Sequence, residues 1–208
     1  MAIIDSVTLE VADTAAAARF YAAAFGLDSQ LRLRASEAPS TGFRGFTLAL
    51  TVSQPSTVDS LVGSALEAGA TALKPASKSL WGYGAVVQAP DGSIWKIATS
   101  AKKDTEPATR RIDEFVLLLG VADMAASKQF YVGQGFTVRK SFGRAYAEFE
   151  AGSGRVKLAL YRHRALAKEV GVSPDGTGAR RLVIGGDAEP FTDPDGFVWE
   201  AAVPASTL

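Results

Sequence analysis

Over residues 6–12, Val7, Leu9 and Val11 alternate with Ser6, Thr8 and Glu10. A period of two predicts a strand with one packed face and one face open to something polar. The period then lengthens. Ala17, Phe20, Tyr21 and Ala24 recur at helical spacing behind Asp13, a good N-cap, and Gly26 is placed to stop the helix at C′. Residues 45–52 read as a further strand and 57–70 as a second helix stopped by Gly69. Strands near 71–74, 83–88 and 93–99 follow.

The same order then returns, which marks an internal repeat. I-D-S-V-T-L-E-V-A-D (4–13) matches I-D-E-F-V-L-L-L-G-V-A-D (112–123), with two extra residues in the second copy. Phe20-Tyr21 and Phe130-Tyr131 stand at the same distance from Asp13 and Asp123, and Gly135 repeats the role of Gly26. Both halves close on one phrase, A-P-D-G-S-I-W-K (89–96) and D-P-D-G-F-V-W-E (193–200). Its last residue reverses charge, from Lys96 to Glu200. The second half shows strands near 136–141, 144–150, 155–162 and 181–185, with no room for a second helix between Asp187 and Asp193. Residues 101–111 are charged and lack apolar periodicity, as a linker does. The expected layout is therefore a domain over 1–100, a linker over 101–111, and a domain over 112–208 that lacks the second helix.

A chain of 208 residues suits one large domain or two of about 100 residues. Apolar residues make up 47%, which supports a packed core rather than disorder. Lys+Arg and Asp+Glu balance at 22 each, so the basic footprint of a nucleic-acid binder is missing. The absence of cysteine removes disulfides, thiolate metal sites and cysteine nucleophiles, and a single histidine rules out a multi-histidine site within one chain. No apolar run approaches the roughly 18 residues of a membrane span, and the opening M-A-I-I-D-S has no signal-peptide pattern. These features lead us to expect a cytoplasmic protein with no membrane or nucleic-acid partner.

The opening strand, the helix carrying F-Y, the E-A-G-A helix end (67–70) and the closing D-P-D-G-x-x-W-E together resemble the glyoxalase / bleomycin-resistance / dioxygenase group, the vicinal oxygen chelate superfamily. The resemblance covers nearly the whole chain, as two tandem glyoxalase-like domains. It implies an α+β fold in which tandem βαβββ modules form curved mixed sheets around a cavity, with helices on the outer face. In the family's enzymes that cavity holds a divalent metal. Its ligands come from the first strand, the first strand of the partner module and the closing strand. Carried over, those positions are Ser6, Thr47 and Lys96 in the first half, and Glu114, Arg180 or Arg181, and Glu200 in the second. A protonated lysine cannot coordinate a cation and repels it. Glu114 and Glu200 remain as a weak alternative metal pair, and two carboxylates seldom suffice. The other reading pairs Glu200 with an arginine or lysine across the cavity, Lys96 included.

Several other residues merit attention. Trp81 and Tyr83 lie where the family's cavity-lining strand begins, and suit either stacking on a flat ligand or packing. Ser6, Thr8 and Glu10 share the cavity face of their strand. Trp95 and Trp199 point the other way, into the core. Lys74 and Lys78 read as a solvated loop and His163, between Arg162 and Arg164, as a surface histidine. The glycine-rich pieces 152–154 and 173–179 are turns.

The chain therefore reads as a metal-independent protein, without a cofactor, that binds a small, partly aromatic molecule, with drug sequestration as the precedent the resemblance offers. The expected ligand contacts are Ser6, Thr8, Glu10, Thr47, Trp81, Tyr83, Lys96, Glu114, Arg181 and Glu200. The alternative is a lyase, isomerase or dioxygenase that uses Glu200 with a metal, or Glu114, Glu200 or Lys96 in acid–base chemistry. A third class is a structural module whose cavity is filled by its own side chains. The duplication supplies domain pairing within one chain, which suits a monomer and leaves a homodimer open.

Overall fold

A computed structural model describes residues 1–27 and 29–202. The first half runs β1 (Ile4–Val11), α1 (Thr14–Ala24), β2 (Leu31–Ala35), β3 (Ser40–Gly42), β4 (Phe46–Thr51), α2 (Pro55–Glu67), β5 (Thr71–Ser79), β6 (Gly82–Gln88) and β7 (Ile94–Thr99). The second runs β8 (Glu114–Val121), α3 (Met124–Gly133), β9 (Val138–Phe142), β10 (Tyr146–Phe149), β11 (Lys157–Arg162), α4 (His163–Val170), β12 (Gly176–Gly178), β13 (Leu182–Gly186), β14 (Phe191–Thr192) and β15 (Val198–Ala201).

The caps follow the sequence. Asp13 accepts from the Ala16 N–H, and Asp123 from those of Ala125 and Ala126, so each satisfies donors that the helix start leaves open. Gly26 and Gly135 take positive φ just past their helices. The buried face of α1 is Ala17, Phe20, Tyr21 and Ala24. α2 has no side-chain cap of its own; Pro55 starts it and the Asp104 carboxylate accepts from the Ser56 N–H. Segment 101–111 is thus tied down. The Gln54 side chain also bonds main-chain groups of Thr105, Glu106 and Pro107, and Arg110 donates to the Ala23 and Ala24 carbonyls at the end of α1.

Both large sheets take strands from both halves. An eight-stranded sheet has the order β5-β6-β7-β4-β8-β11-β10-β9, and a five-stranded sheet the order β14-β15-β13-β1-β2. At the centre of the first, β4 pairs antiparallel with β8; at the centre of the second, β1 pairs antiparallel with β13. The eight-stranded sheet therefore joins two βαβββ modules, β4-α2-β5-β6-β7 and β8-α3-β9-β10-β11, about a pseudo-twofold axis. The five-stranded sheet holds the reduced remainder. A small β3–β12 ribbon also links the halves.

One large core lies on the faces that carry α1, α2 and α3. Trp95 and Trp199 are buried there, as strand alternation predicts. Tyr21 of α1 packs on Trp95 of the eight-stranded sheet, while Tyr131 of α3 packs on both Phe149 and Trp199, which joins the sheets. A second, smaller core lies on the opposite face of the eight-stranded sheet. There Leu166, Ala167 and Val170 of α4 are fully buried against Phe43, Val86, Ile94, Leu118 and Ala159. α4 is unforeseen: the sequence pattern assigns no element between the strand near 155–162 and the turns at 173–179.

Candidate functional site

Register fixes which residues share the cup face, the face of the eight-stranded sheet turned away from α1–α3. Thr47 pairs with Leu118 and Ala49 with Val116 on one side; Ala49 pairs with Lys96 on the other. Val116 pairs with Lys157, Leu118 with Ala159, and Tyr146 with Tyr161. These residues, with Glu114 and Glu148, form the floor and walls, and a crevice of about 220 Å³ remains among them beside α4.

Charges on this face are paired. The Lys96 ammonium donates to Glu169 Oε1 of α4 at 2.5 Å. That hydrogen bond holds the Glu169 carboxyl below its usual range, against a smaller opposing effect of burial. Lys157 donates to Glu114, and Arg139 to Glu148 at 2.9 Å. Tyr146 donates to the other Glu148 oxygen at 2.7 Å; burial first, and that bond second, push its hydroxyl up. Tyr161 meets Tyr146 edge-on at 4.9 Å, and burial followed by the Glu169 and Glu148 charges raises it as well. Both phenols stay protonated at neutral pH. Lys74 reaches α4 too, donating to the main-chain carbonyls of Lys168 at 3.1 Å and Glu169 at 2.5 Å. Lys74 and Lys78 lie in β5, not in a solvated loop.

The five-stranded sheet carries the other expected residues. Ser6, Thr8, Arg32, Arg34, Val183, Gly185 and Glu200 line a shallow depression of about 190 Å³. Arg34 grips Glu200 bidentately at 3.1 and 2.7 Å, with Glu10 at 3.8 Å. The bond from Arg34 lowers the Glu200 carboxyl, and the reciprocal bond raises the guanidinium. Lys96 and Glu200 therefore do not pair. They sit on different sheets, each with its own partner, and the reversed charge of the two closing phrases is met separately.

Several placements differ from what the sequence predicts. Ser6, Thr47 and Val116 each lie the same number of residues before a helix N-cap, namely Asp13, Gln54 and Asp123. Val116, not Glu114, thus holds the first-strand position of β8, and Glu114 lies two residues outward on the same face. Gly185 stands to Glu200 as Ala49 stands to Lys96, so Val183 is the counterpart of Thr47 in β13. Arg181 lies two residues before it at φ 55°, with its guanidinium on the Ala38 carbonyl at 2.9 and 2.6 Å. The Tyr83 hydroxyl donates to Asp59 of α2 at 2.8 Å and Trp81 stands exposed at the β5–β6 turn, yet both line a depression of about 350 Å³ with Lys74, Lys96 and Glu169. His163 is half-buried as the first residue of α4, with Nε2 2.8 Å from the Pro174 carbonyl and its ring on Phe43.

The donor set does not fit a divalent cation. On the cup face the equivalent positions hold Thr47, Val116, Lys96 and Ala159; on the five-stranded sheet they hold Ser6, Val183 and an arginine-bound Glu200. Among the described residues no cluster of three or more His, Cys, Asp or Glu side chains converges. No helix of the described residues is long and apolar enough to cross a membrane.

No family model matches the sequence, and no curated protein matches it. Solved structures do. Glyoxalase I from Zea mays superposes with a TM-score of 0.63 at 14% identity, covering 96% of this chain and 91% of its own. A putative dioxygenase from Bacillus subtilis gives 0.65 at 10% identity, covering 98% and 86%. Identities this low speak to the fold. With the two modules joined through β4 and β8, the strand order and these superpositions agree: the chain has the fold of glyoxalase I.

Proposed function

We propose that this is a metal-independent, cytoplasmic small-molecule-binding protein whose ligand sits on the cup face of the eight-stranded sheet. The observation that carries the reading is Lys96. A cation bonded to Glu169 occupies the position from which the fold's enzymes present a metal-binding carboxylate. The walls favour a partly aromatic ligand. Ala49, Ala98, Val116 and Leu118 give apolar area, and Tyr146 and Tyr161 give ring edges and hydroxyls. Drug sequestration is one use for such a cup. The two repeats, residues 1–100 and 112–208, supply the module pairing within a single chain, so one chain suffices.

The test is metal content by elemental analysis after dialysis against Mn, Fe, Ni, Zn and Mg, followed by thermal-shift screening of small aromatic compounds. We expect no stoichiometric metal and a stabilising organic ligand. One metal per chain, lost in Glu200→Ala, would overturn the reading in favour of a lyase, isomerase or dioxygenase. A second reading, a structural module with a self-filled cup, is favoured by α4, which buries Leu166, Ala167 and Val170 in that cup. It predicts that no compound shifts the melting temperature.

A further inference from the structure

We infer that α4 is a built-in stand-in for the ligand, and that the ligand is an organic anion: a carboxylate on an apolar, partly aromatic body. The inference rests on the reading of the cup as a binding site and names what that site takes.

The argument is one of charge and shape. The sheet pairs two of its own carboxylates, Glu114 with Lys157 and Glu148 with Arg139. Its described residues offer no carboxylate to Lys96 or Lys74. Among the described residues, the partners of Lys96 and Lys74 come from α4 alone: the Glu169 carboxylate, and the main-chain oxygens of Lys168 and Glu169. The stem of Lys74 lies against Gly171, just past the helix. Remove α4, and the cup presents two ammonium groups beside an apolar floor of Val86, Ile94, Leu118 and Ala159. α4 supplies the complement of both, negative oxygen at one end and Leu166, Ala167 and Val170 along its side. One group in the cup gains nothing from it. Thr47 is fully buried on this face, yet its hydroxyl has no partner among the described residues. A polar atom on a ligand would satisfy it.

α4 has little support of its own. It has 8 residues and its N-cap, Arg162, makes no side-chain capping bond. A helix of about two turns is not stable by itself in water, so this one stays folded only through what it touches. A ligand that satisfies Lys96 and Lys74 and covers the same floor competes for those contacts, and α4 opens locally.

The chain has no cysteine, so Ala165→Cys, an exposed site on α4, takes a single environment-sensitive fluorophore. The probes are 4-phenylbutanoate and its neutral amide, 4-phenylbutanamide. They are titrated into the labelled protein with and without Glu169→Gln, with affinities also measured on unlabelled protein. We expect the carboxylate to bind and shift the label, and to bind roughly fivefold tighter when Glu169→Gln removes the half-exposed internal competitor. The amide should bind about tenfold more weakly than the acid, and Lys96→Ala, made with Glu169 intact, should abolish the preference. If the carboxylate binds with equal affinity to both forms and the label stays still, the stand-in falls while the cup remains a binding site. If the amide binds as well as the acid, the anionic class falls. If neither probe binds even to Leu166→Ala, with α4 loosened, the inference falls, and a failed aromatic-compound screen on the same variant would take the binding reading with it.

Discussion

Each tyrosine of the repeated F-Y pairs bonds a carboxylate of the closing phrase in its own half, at a different position of that phrase in each. The Tyr21 hydroxyl is 2.5 Å from Asp91 and 2.7 Å from Ser93, and that of Tyr131 is 2.5 Å from Asp193. Each ties a helix to the loop that launches a closing strand. Burial first, then the adjacent carboxylate, holds both phenols far above their ordinary range, so they act as donors throughout the accessible pH range. Tyr131→Phe leaves a buried carboxylate with one donor fewer and should cost about 1–3 kcal/mol in chemical denaturation. Tyr21→Phe should cost less, because Asp91 is only partly buried and Ser93 stays in reach. Equal and negligible losses in both would show that the bonds add nothing to the packing. The ion pairs give a second residue-scale expectation. Glu169 and Glu200 are depressed in the folded state, chiefly by bonds from Lys96 and Arg34. Their contribution is present above the unfolded carboxyl pKa of about 4.3 and is lost as pH falls through the lower folded values. Stability should therefore decline more steeply below about pH 4 in the parent chain than in a Glu169→Gln, Glu200→Gln double variant, as measured by urea midpoints across pH.

Among the elements, α4 divides what the sequence discloses from what it hides. Its own signal is legible: Leu166, Ala167 and Val170 are spaced as one helical face, and Gly171 follows in the left-handed conformation that ends a helix. The strand pattern of 157–162 runs into it without a loop, and that continuity conceals the change of period. Its destination is not legible, because no local pattern says which face of which sheet a two-turn helix covers. The helices α1, α2 and α3 and most of the longer strands followed from periodicity, whereas β2, β3, β14 and β12, which lies within the stretch 173–179 expected as turns, did not. The site positions did not, because aligning the start of β8 on the start of β1 ignores the extra residues in between, whereas counting back from the N-cap places Val116 and Thr47 together. Leu166→Ala should leave a cavity in the smaller core while the larger one stays intact. Amides of α4 should then exchange at least about tenfold faster with little change in β4 and β8. Uniform acceleration across the eight-stranded sheet would instead make α4 part of the global folding unit.

At the scale of the whole molecule, the repeats do not map onto the sheets. Half-by-half periodicity finds two copies, yet β1 of the first copy has β13 of the second as its antiparallel neighbour, and β4 has β8. Long-range pairing of this kind leaves no trace in local pattern; only the conflict between a truncated second copy and its intact closing phrase hints that the pieces are shared. Trp95 stacks on Phe115 across the β4–β8 seam, and Ile4, Val7 and Leu9 lie beside Ile184 and Leu182 in the larger core. A fragment of residues 1–111 would expose the β4 edge and the β1 edge together with this apolar area, more than a stretch of its size can leave in water and stay folded. We therefore expect 1–111 and 112–208 to be largely unstructured alone by circular dichroism, and to regain the spectrum when mixed. The intact chain should unfold in one transition by both tryptophan fluorescence and circular dichroism. Two separated transitions, or a folded 1–111 fragment, would show that each repeat closes its own core and that the shared sheets form only afterwards.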